Sequence, residues 1–123
     1  MRTLEEVLML YRLHPQFMGA ELGSVNAKGA MGDTPLHIAC GRNSLQEVAD
    51  LLALGAEVNV RGDRGFTPVQ MAIQQGSAEM TGLLLKHGAD LDVKDDHDCT
   101  ARQEAAFSTV PEIKSLAISP RHG

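Results

Sequence analysis

The sequence predicts an all-α solenoid, in which helix-turn-helix units are stacked and joined by β-turn or hairpin loops. The first observation is an internal repeat: TPLHIA (34–39) is followed 33 residues later by TPVQMA (67–72) and again by TARQEA (100–105). Residues 26–58 align with 59–91 without a gap at 11 identical positions. A fixed period of this length indicates a repeat architecture. The second observation is that aromatics form only 3% of a chain that is 43% hydrophobic, so small aliphatic side chains must fill the core, as in closely packed helices.

The first half of each unit is predicted to be a tight turn followed by a short helix. Gly29 and Gly32 permit the positive φ angles of such a turn. Thr34 is a good N-cap, and Pro35 can occupy the first helical position, where its missing N–H costs nothing. The helix should end near Gly41.

The second half of the unit is predicted to be a longer amphipathic helix. Asn43 can adopt a left-handed conformation that stops the first helix, and Ser44 with Glu47 forms a capping-box pattern for the second. Gly55 is a suitable C-cap. One apolar stripe is formed by Val48, Leu51 and Leu52. The next unit repeats these features at Thr67, Pro68, Gly76, Ser77, Leu84, Leu85 and Gly88. Neither helix pair can bury its stripe alone, so neighbouring units must stack.

These motifs resemble the ankyrin repeat, whose pattern is T-P-L-H-x-A, an apolar pair, G-A, and an Asn or Asp. The motifs here are TPLHIA, Leu51-Leu52, Gly55-Ala56 and Asn59, then TPVQMA, Leu84-Leu85, Gly88-Ala89 and Asp92. The resemblance covers residues 1–117 and implies a single ankyrin-repeat domain with full repeats at 26–58 and 59–91. It also implies that His37 hydrogen-bonds locally and steadies the turns. Gln70 and Gln103 take its place in later units.

Residues 1–25 are interpreted as a divergent N-terminal cap repeat. Thr3 and Glu6 form a capping-box pattern. A helical stripe is expected at Leu4, Val7, Leu8 and Tyr11. Pro15 can start a second short helix that ends near Gly23.

Residues 92–117 are interpreted as the C-terminal cap repeat, and 118–123 as a flexible tail. Asp95 and Asp98 replace the two turn glycines. Arg102 and Glu104 place charged side chains on the first helix of this last unit. Polar residues suit a terminal unit, whose outer face meets solvent.

The resemblance implies a non-enzymatic module that binds another protein through a concave face built from turn tips and first helices. Carried over by position, the candidate contact residues are Met31, Asp33, Arg42, Asp63, Arg64, Phe66, Gln74, Gln75 and His97; the same reasoning also places Ala30, Asp96, Cys99, Phe107 and Ser108 on this face. Phe66 is the most informative, because aromatic and Arg side chains dominate interface energetics. The alternative is that Phe66 folds back onto the neighbouring turn and is partly buried there.

Composition argues against several other partners. The net charge is −5 and there is no basic stripe, so neither nucleic acid nor an anionic membrane is an expected partner. Glu5 and Glu6 interrupt any signal-peptide core, and no apolar run is long enough to span a bilayer. We therefore expect the protein to be a cytoplasmic monomer. In that compartment Cys40 and Cys99 are expected to be two free, reduced thiols rather than a disulfide bond.

No catalytic, cofactor or metal site is predicted. The acidic residues between 90 and 98 do not match a calcium loop, because Lys94, Asp95 and Ala101 stand where an acid or amide, a Gly and a Glu are needed. Nucleophile elbows, zinc-protease motifs and phosphate-binding glycine loops are missing from the sequence. The chain is accordingly predicted not to be an enzyme.

Three alternatives to a general binding module remain open. The protein could be a dedicated inhibitor or immunity protein that neutralises a cognate enzyme or toxin, for which its acidity suits a basic target. It could act structurally through self-association. It could bind a metal or small molecule around residues 95–99.

Overall fold

A computed structural model describes residues 3–12, 14–17 and 24–118. In this part of the chain the regular structure is helical apart from one antiparallel bridge between Lys94 and Thr100, which confirms the all-α prediction. The α-helices are α1 (Leu4–Met9), α2 (Pro35–Gly41), α3 (Leu45–Ala53), α4 (Pro68–Gln74), α5 (Ala78–Lys86), α6 (Ala101–Ala105) and α7 (Pro111–Lys114). Short 3-10 helices cover Pro15–Phe17, Asp63–Gly65 and Ser115–Ile118.

The helices form two layers. The first helices α2, α4 and α6 pack side by side, and the second helices α3, α5 and α7 pack in the same order behind them. Ala39, Ala72 and Ala105 are fully buried on the first helices, where their small side chains let neighbouring repeats approach closely. The core lies between the layers and includes Leu36, Val48, Leu51, Val69, Met80, Leu84 and Ile113.

Most predicted helix ends are confirmed. Asn43 has φ 56° and follows α2, and Ser44 Oγ accepts a hydrogen bond from the Glu47 N–H at the start of α3. The reciprocal half of the predicted capping box is wrong. The Ser44 N–H donates to the Ala39 carbonyl, while the Glu47 carboxylate accepts from the Tyr11 hydroxyl (2.9 Å). A distant tyrosine therefore takes the place of the local partner.

Only one glycine of each turn pair is needed for its φ angle. Gly32 and Gly65 have φ 92° and 76°, whereas Gly29 is outside the positive region and Gly62 has φ −104°. Gly62 is required for a different reason, because a Cβ there would collide with Asp33 Oδ1 and would lie 2.8 Å from His37 Nε2. The prediction of positive φ at the first glycine is thus wrong, and close approach between repeats replaces it.

The N-terminal unit differs from the full repeats in the residues that the structure describes. The capping box of Thr3 and Glu6 is present, and α1 packs against α3. Val7, Leu8 and Tyr11 are buried, while Leu4 remains 40% exposed. Pro15 starts a 3-10 turn that ends at Phe17, and the predicted continuation to Gly23 lies outside the described residues.

A partly buried ion pair stabilises the C-terminal unit. Arg102 stands where α2 and α4 carry Leu36 and Val69, and its guanidinium donates to both carboxylate oxygens of Asp92 (2.8 and 3.1 Å). It also donates to the Leu116 carbonyl. The 3-10 turn extends the unit to Ile118, one residue into the predicted tail, and 119–123 lie outside the described residues.

Candidate functional site

The turn tips present an exposed side chain at the same position in three successive repeats. These residues are Met31, Arg64 and His97, and Met31 is 57% exposed. Hydrogen bonds tie each turn to the next: the Asp63 N–H donates to Asp33 Oδ1 (2.8 Å), and the Asp96 N–H donates to the Arg64 carbonyl (3.0 Å). The tips therefore form a row whose backbone is already ordered by hydrogen bonds before any partner binds.

Asp33 supports this row from inside rather than from its surface. Its side chain is buried, and its second carboxylate oxygen accepts from Gln16 Nε2 (2.8 Å). With Oδ1 used by Asp63, the carboxylate bridges three consecutive segments. Asp33 was expected among the partner contacts, but it lies where a partner would have little access.

Arg64 combines an exposed side chain with an unusual backbone. Its φ is 59°, a left-handed conformation that costs a non-glycine residue roughly 1–2 kcal/mol. The adjoining hydrogen bond from Asp96 holds the conformation in place. The result is a cationic side chain aimed outward from a rigid turn.

Phe66 is half-buried, so part of its ring is covered and part is open to solvent. Its carbonyl accepts from the Gly62 N–H (2.8 Å) and from His37 Nε2 (2.9 Å). The half-buried side chain leaves part of Phe66 accessible to a partner. Asp63 lies beside it with intermediate exposure.

His37 joins the first full repeat to the turn of the second. Its Nδ1 accepts from the Thr34 N–H (3.1 Å), which requires the neutral ring with the proton on Nε2. That proton is donated to the Phe66 carbonyl. Burial lowers the pKa of His37 below its ordinary 6.5, and this outweighs the opposing charge of Asp33. The local hydrogen-bonding role implied by the resemblance is thus seen, with the partner atoms identified.

Gln70 occupies the equivalent place in the next repeat and uses different partners. Its Oε1 accepts from the Thr67 N–H (3.0 Å), while Nε2 donates to Asp95 (3.2 Å) and Glu104 (3.4 Å). Burial would raise the pKa of Asp95, but hydrogen bonds from the N–H groups of Cys99 and His97 and from Gln70 together lower it.

The ends of the first helices differ between repeats. Arg42 pairs with Glu47 (3.1 Å) and its guanidinium lies 5.3 Å from the centre of the Tyr11 ring. Burial and the neighbouring Glu47 raise the pKa of Tyr11. Gln75 donates across the repeat boundary to the Gly41 carbonyl (3.0 Å). Gln74 instead donates to the carboxylate of Glu104 (3.2 Å).

An open groove of about 420 Å³ lies between the C-terminal ends of α4 and α6. Its lining includes Ile73, Gln74, Glu104, Phe107, Ser108 and Val110. Phe107 is 88% exposed. It lies one repeat after Gln74, so its place at a first-helix end could be read from the sequence, but its degree of exposure could not.

Other chemistry is sparse in the described part of the chain. No group of three or more His, Cys, Asp or Glu side chains there is arranged to hold a metal ion. Cys40 and Cys99 are free thiols, the first buried with its pKa raised to about 12 by burial and the second exposed. No helix in residues 3–12, 14–17 and 24–118 has the length and apolar character to cross a membrane.

Comparison with known proteins agrees with the two-layer stack and its period. No curated protein matches the chain at a significant level. The family model for ankyrin repeats, in 3 copies, matches residues 6–109. With most of its length matched, the chain belongs to the ankyrin-repeat family.

Proposed function

We propose that this protein is a non-enzymatic binding module that takes hold of a partner protein with its turn tips and first helices. Ankyrin repeats are in general protein–protein interaction modules. The proposed contact residues on this face are Met31, Arg42, Asp63, Arg64, Phe66, Gln74, Gln75 and His97, together with Phe107. Asp33 is left out because its buried carboxylate serves the turns.

The observation that carries the proposal is the fixed row of exposed tips. Met31 offers an adaptable apolar side chain, Arg64 a cation and Phe66 a partly open ring. Because turn-to-turn hydrogen bonds already order the backbone, a partner would meet little of the entropy cost of ordering loops. A preorganised surface of mixed chemistry favours specific protein recognition.

The face carries both signs of charge. Arg64 projects beside Asp63, and the neighbouring Arg61 pairs with Asp96 (2.7 Å). Mixed charge gives specificity to an encounter and disfavours a polyanionic partner such as nucleic acid. Free thiols at Cys40 and Cys99 accord with a reducing compartment, so a cytoplasmic location is part of the proposal.

Affinity capture with mass spectrometry tests the proposal. The bait is the full chain, in parallel with a tip variant that combines Met31→Ala, Arg64→Ala and Phe66→Ala. A control variant combines Glu79→Ala, Lys86→Ala and Glu112→Ala on the second helices, all at exposed positions. We expect a protein captured by the wild type and the control but lost from the folded tip variant. Capture that is unaffected by the tip substitutions would contradict the proposed face.

The same capture separates the remaining hypotheses. A partner enzyme or toxin whose activity falls on adding this protein would establish the inhibitor hypothesis. Light scattering on the isolated chain should show a monomer, and a concentration-dependent dimer would favour self-association instead.

A further inference from the structure

The groove between α4 and α6 lies where two positions differ from the equivalent place between α2 and α4. In the earlier place, Gln75 reaches across to the Gly41 carbonyl, and the Met71 methyl lies 3.3 Å from where a Cβ on Gly41 would be. One repeat later, Ser108 replaces Gln75 and is too short to cross. Glu104 replaces Met71, and an open space of about 420 Å³ remains.

Glu104 is the charged residue among those that line the groove. Its carboxylate is half-buried and accepts hydrogen bonds from the neutral amides of Gln70 and Gln74. Burial, together with the nearby charge of Asp95, raises the pKa of Glu104. The ion pairs found in the described residues use other acids, namely Glu5, Glu47, Asp92, Asp96 and Asp98. The Glu104 carboxylate is therefore partly desolvated but is not neutralised by any of these ion pairs. A cation that binds beside it would supply the missing opposite charge.

Phe107 gives the groove an aromatic wall. An aromatic ring that is 88% exposed can accept a cation against its face, and the interaction strengthens as the cation is desolvated. Ile73 and Val110 add apolar surface nearby. The site therefore offers one carboxylate, one aromatic ring and apolar surface. Its volume of about 420 Å³ is many times the roughly 30 Å³ that one water molecule occupies in the liquid, so a side chain can enter it.

We propose that this groove receives an arginine side chain of the bound partner protein, with its guanidinium on the Glu104 carboxylate and against the Phe107 ring; the inference rests on the proposed function. Arginine fits because its planar fork pairs with a carboxylate, stacks on aromatic rings and carries an apolar stem. An anionic side chain would be repelled by Glu104 and by the protein's net charge of −5. A purely apolar side chain would bury Glu104 further without compensating its charge.

The test is a titration of the isotope-labelled full chain followed by NMR. The probe is the capped peptide acetyl-Leu-Arg-Leu-amide, and its partner probe has citrulline, the neutral isostere, in place of arginine. We expect saturable shifts centred on the amides of Gln74, Phe107, Ser108 and Val110, with a dissociation constant below about 10 mM. The citrulline peptide should bind at least about fivefold more weakly.

Matched variants locate the interaction. Glu104→Gln keeps the shape and one oxygen that can accept from Gln70 and Gln74, and should weaken the arginine peptide about fivefold or more. Glu79→Gln removes the same charge from an exposed site on α5 and should change affinity less than about twofold. Phe107→Leu should weaken binding about threefold, since it removes the ring but keeps apolar bulk.

The proposal is overturned if no saturable shift occurs up to about 10 mM, if shifts centre elsewhere, or if citrulline or Glu104→Gln makes no difference. Such a failure is distinct from that of the proposed function. If the peptide fails but a captured partner depends on Met31, Arg64 and Phe66, only the groove assignment falls. If capture ignores those tips, the binding face itself is wrong, whatever the peptide does.

Discussion

The α2–α4 junction and the α4–α6 junction occupy equivalent places in successive repeats, yet different chemistry joins them. At the first, the Asp33 carboxylate accepts from the Asp63 N–H in the turns, while at the helices neutral side chains bridge the boundary: His37 donates to the Phe66 carbonyl and Gln75 to the Gly41 carbonyl. At the second, the side chain that replaces His37 bonds to two carboxylates, since Gln70 donates to Asp95 and Glu104. The Gln75 bridge spans the first junction at the helix ends, whereas the second has an open groove at the corresponding place.

The difference shows how a repeat fold separates stability from recognition. Turn and first helix follow each other in the same order at both junctions, although α6 is 5 residues long and α4 is 7. Side chains at a few equivalent positions then decide whether a boundary is filled or left open. At the α4–α6 boundary a carboxylate, that of Glu104, lines an open groove.

The largest expected effect comes from Gly62→Ala at the closed junction. A Cβ at this position would lie 2.8 Å from His37 Nε2 in a packed interface, so we expect a loss of about 2–3 kcal/mol in the free energy of unfolding. The equivalent position at the open junction already carries a side chain, Asp95. Urea denaturation followed by circular dichroism measures the change.

Gly82→Ala is the matched control for that experiment. Gly82 lies inside α5, and a Cβ there would meet nothing within 4 Å. We expect stabilisation by roughly 0.5–1 kcal/mol, since alanine is the better helix former. Equal effects of the two substitutions would mean that close approach at Gly62 is not a constraint.

The second effect is an opposite response of the two junctions to acid. The pKa of His37 is lowered by burial, so the stability it contributes is complete above 6.5 and is lost as the pH falls below that value. The pKa of Glu104 is raised above its ordinary 4.5, so its ionised form weakens the fold, and acid relieves that penalty.

Unfolding curves for the wild type, His37→Gln and Glu104→Gln at pH 7.5, 5.5 and 4.5 test this contrast, the lowest pH reaching the ordinary pKa of a glutamate. His37→Gln, which copies the residue found at Gln70, should lose less stability than the wild type as the pH falls from 7.5 to 5.5. Glu104→Gln should be stabilising at pH 7.5, with a gain that shrinks in acid. Parallel pH profiles for all three proteins would show that neither group titrates as its burial requires.

The smallest effect is expected from the bridge that closes the α2–α4 junction. Gln75→Ala removes the exposed hydrogen bond to the Gly41 carbonyl and should cost about 0.5–1 kcal/mol. Glu79→Ala, an exposed substitution without such a bond, should stay within about 0.5 kcal/mol of the wild type. If the two variants were equally stable, the Gln75 bridge would contribute nothing to the closed junction.

Local chemistry made much of this fold predictable from the sequence. Helix starts at Thr34 and Thr67, and the helix stop at Asn43, are determined by residues only a few positions apart. Such local features can be recognised in a short stretch of sequence. The repeat supplied the stacking order. Partners separated by a whole repeat were harder: the Tyr11 hydroxyl that occupies Glu47 is 36 residues away, and Gly62 is required by contacts with the previous unit.

The candidate face was predictable in position but not in accessibility. The register correctly indicates that Met31, Arg64 and His97 share one turn position. It could not reveal that the Asp33 carboxylate turns inward, because that depends on Gln16 and Asp63 in neighbouring segments. Nor could it show the exposure of Phe107, which lines the groove where the short Ser108 replaces Gln75.

Hydrogen–deuterium exchange of the full chain, alone and saturated with its captured partner, tests without any substitution whether a partner protein occupies the turn tips and the first-helix ends. We expect slower exchange in residues 29–33, 62–66 and 95–99 and around 104–110, with little change in α3 and α5. Protection centred on α3 and α5, with the turns unchanged, would show instead that the partner lies on the opposite layer.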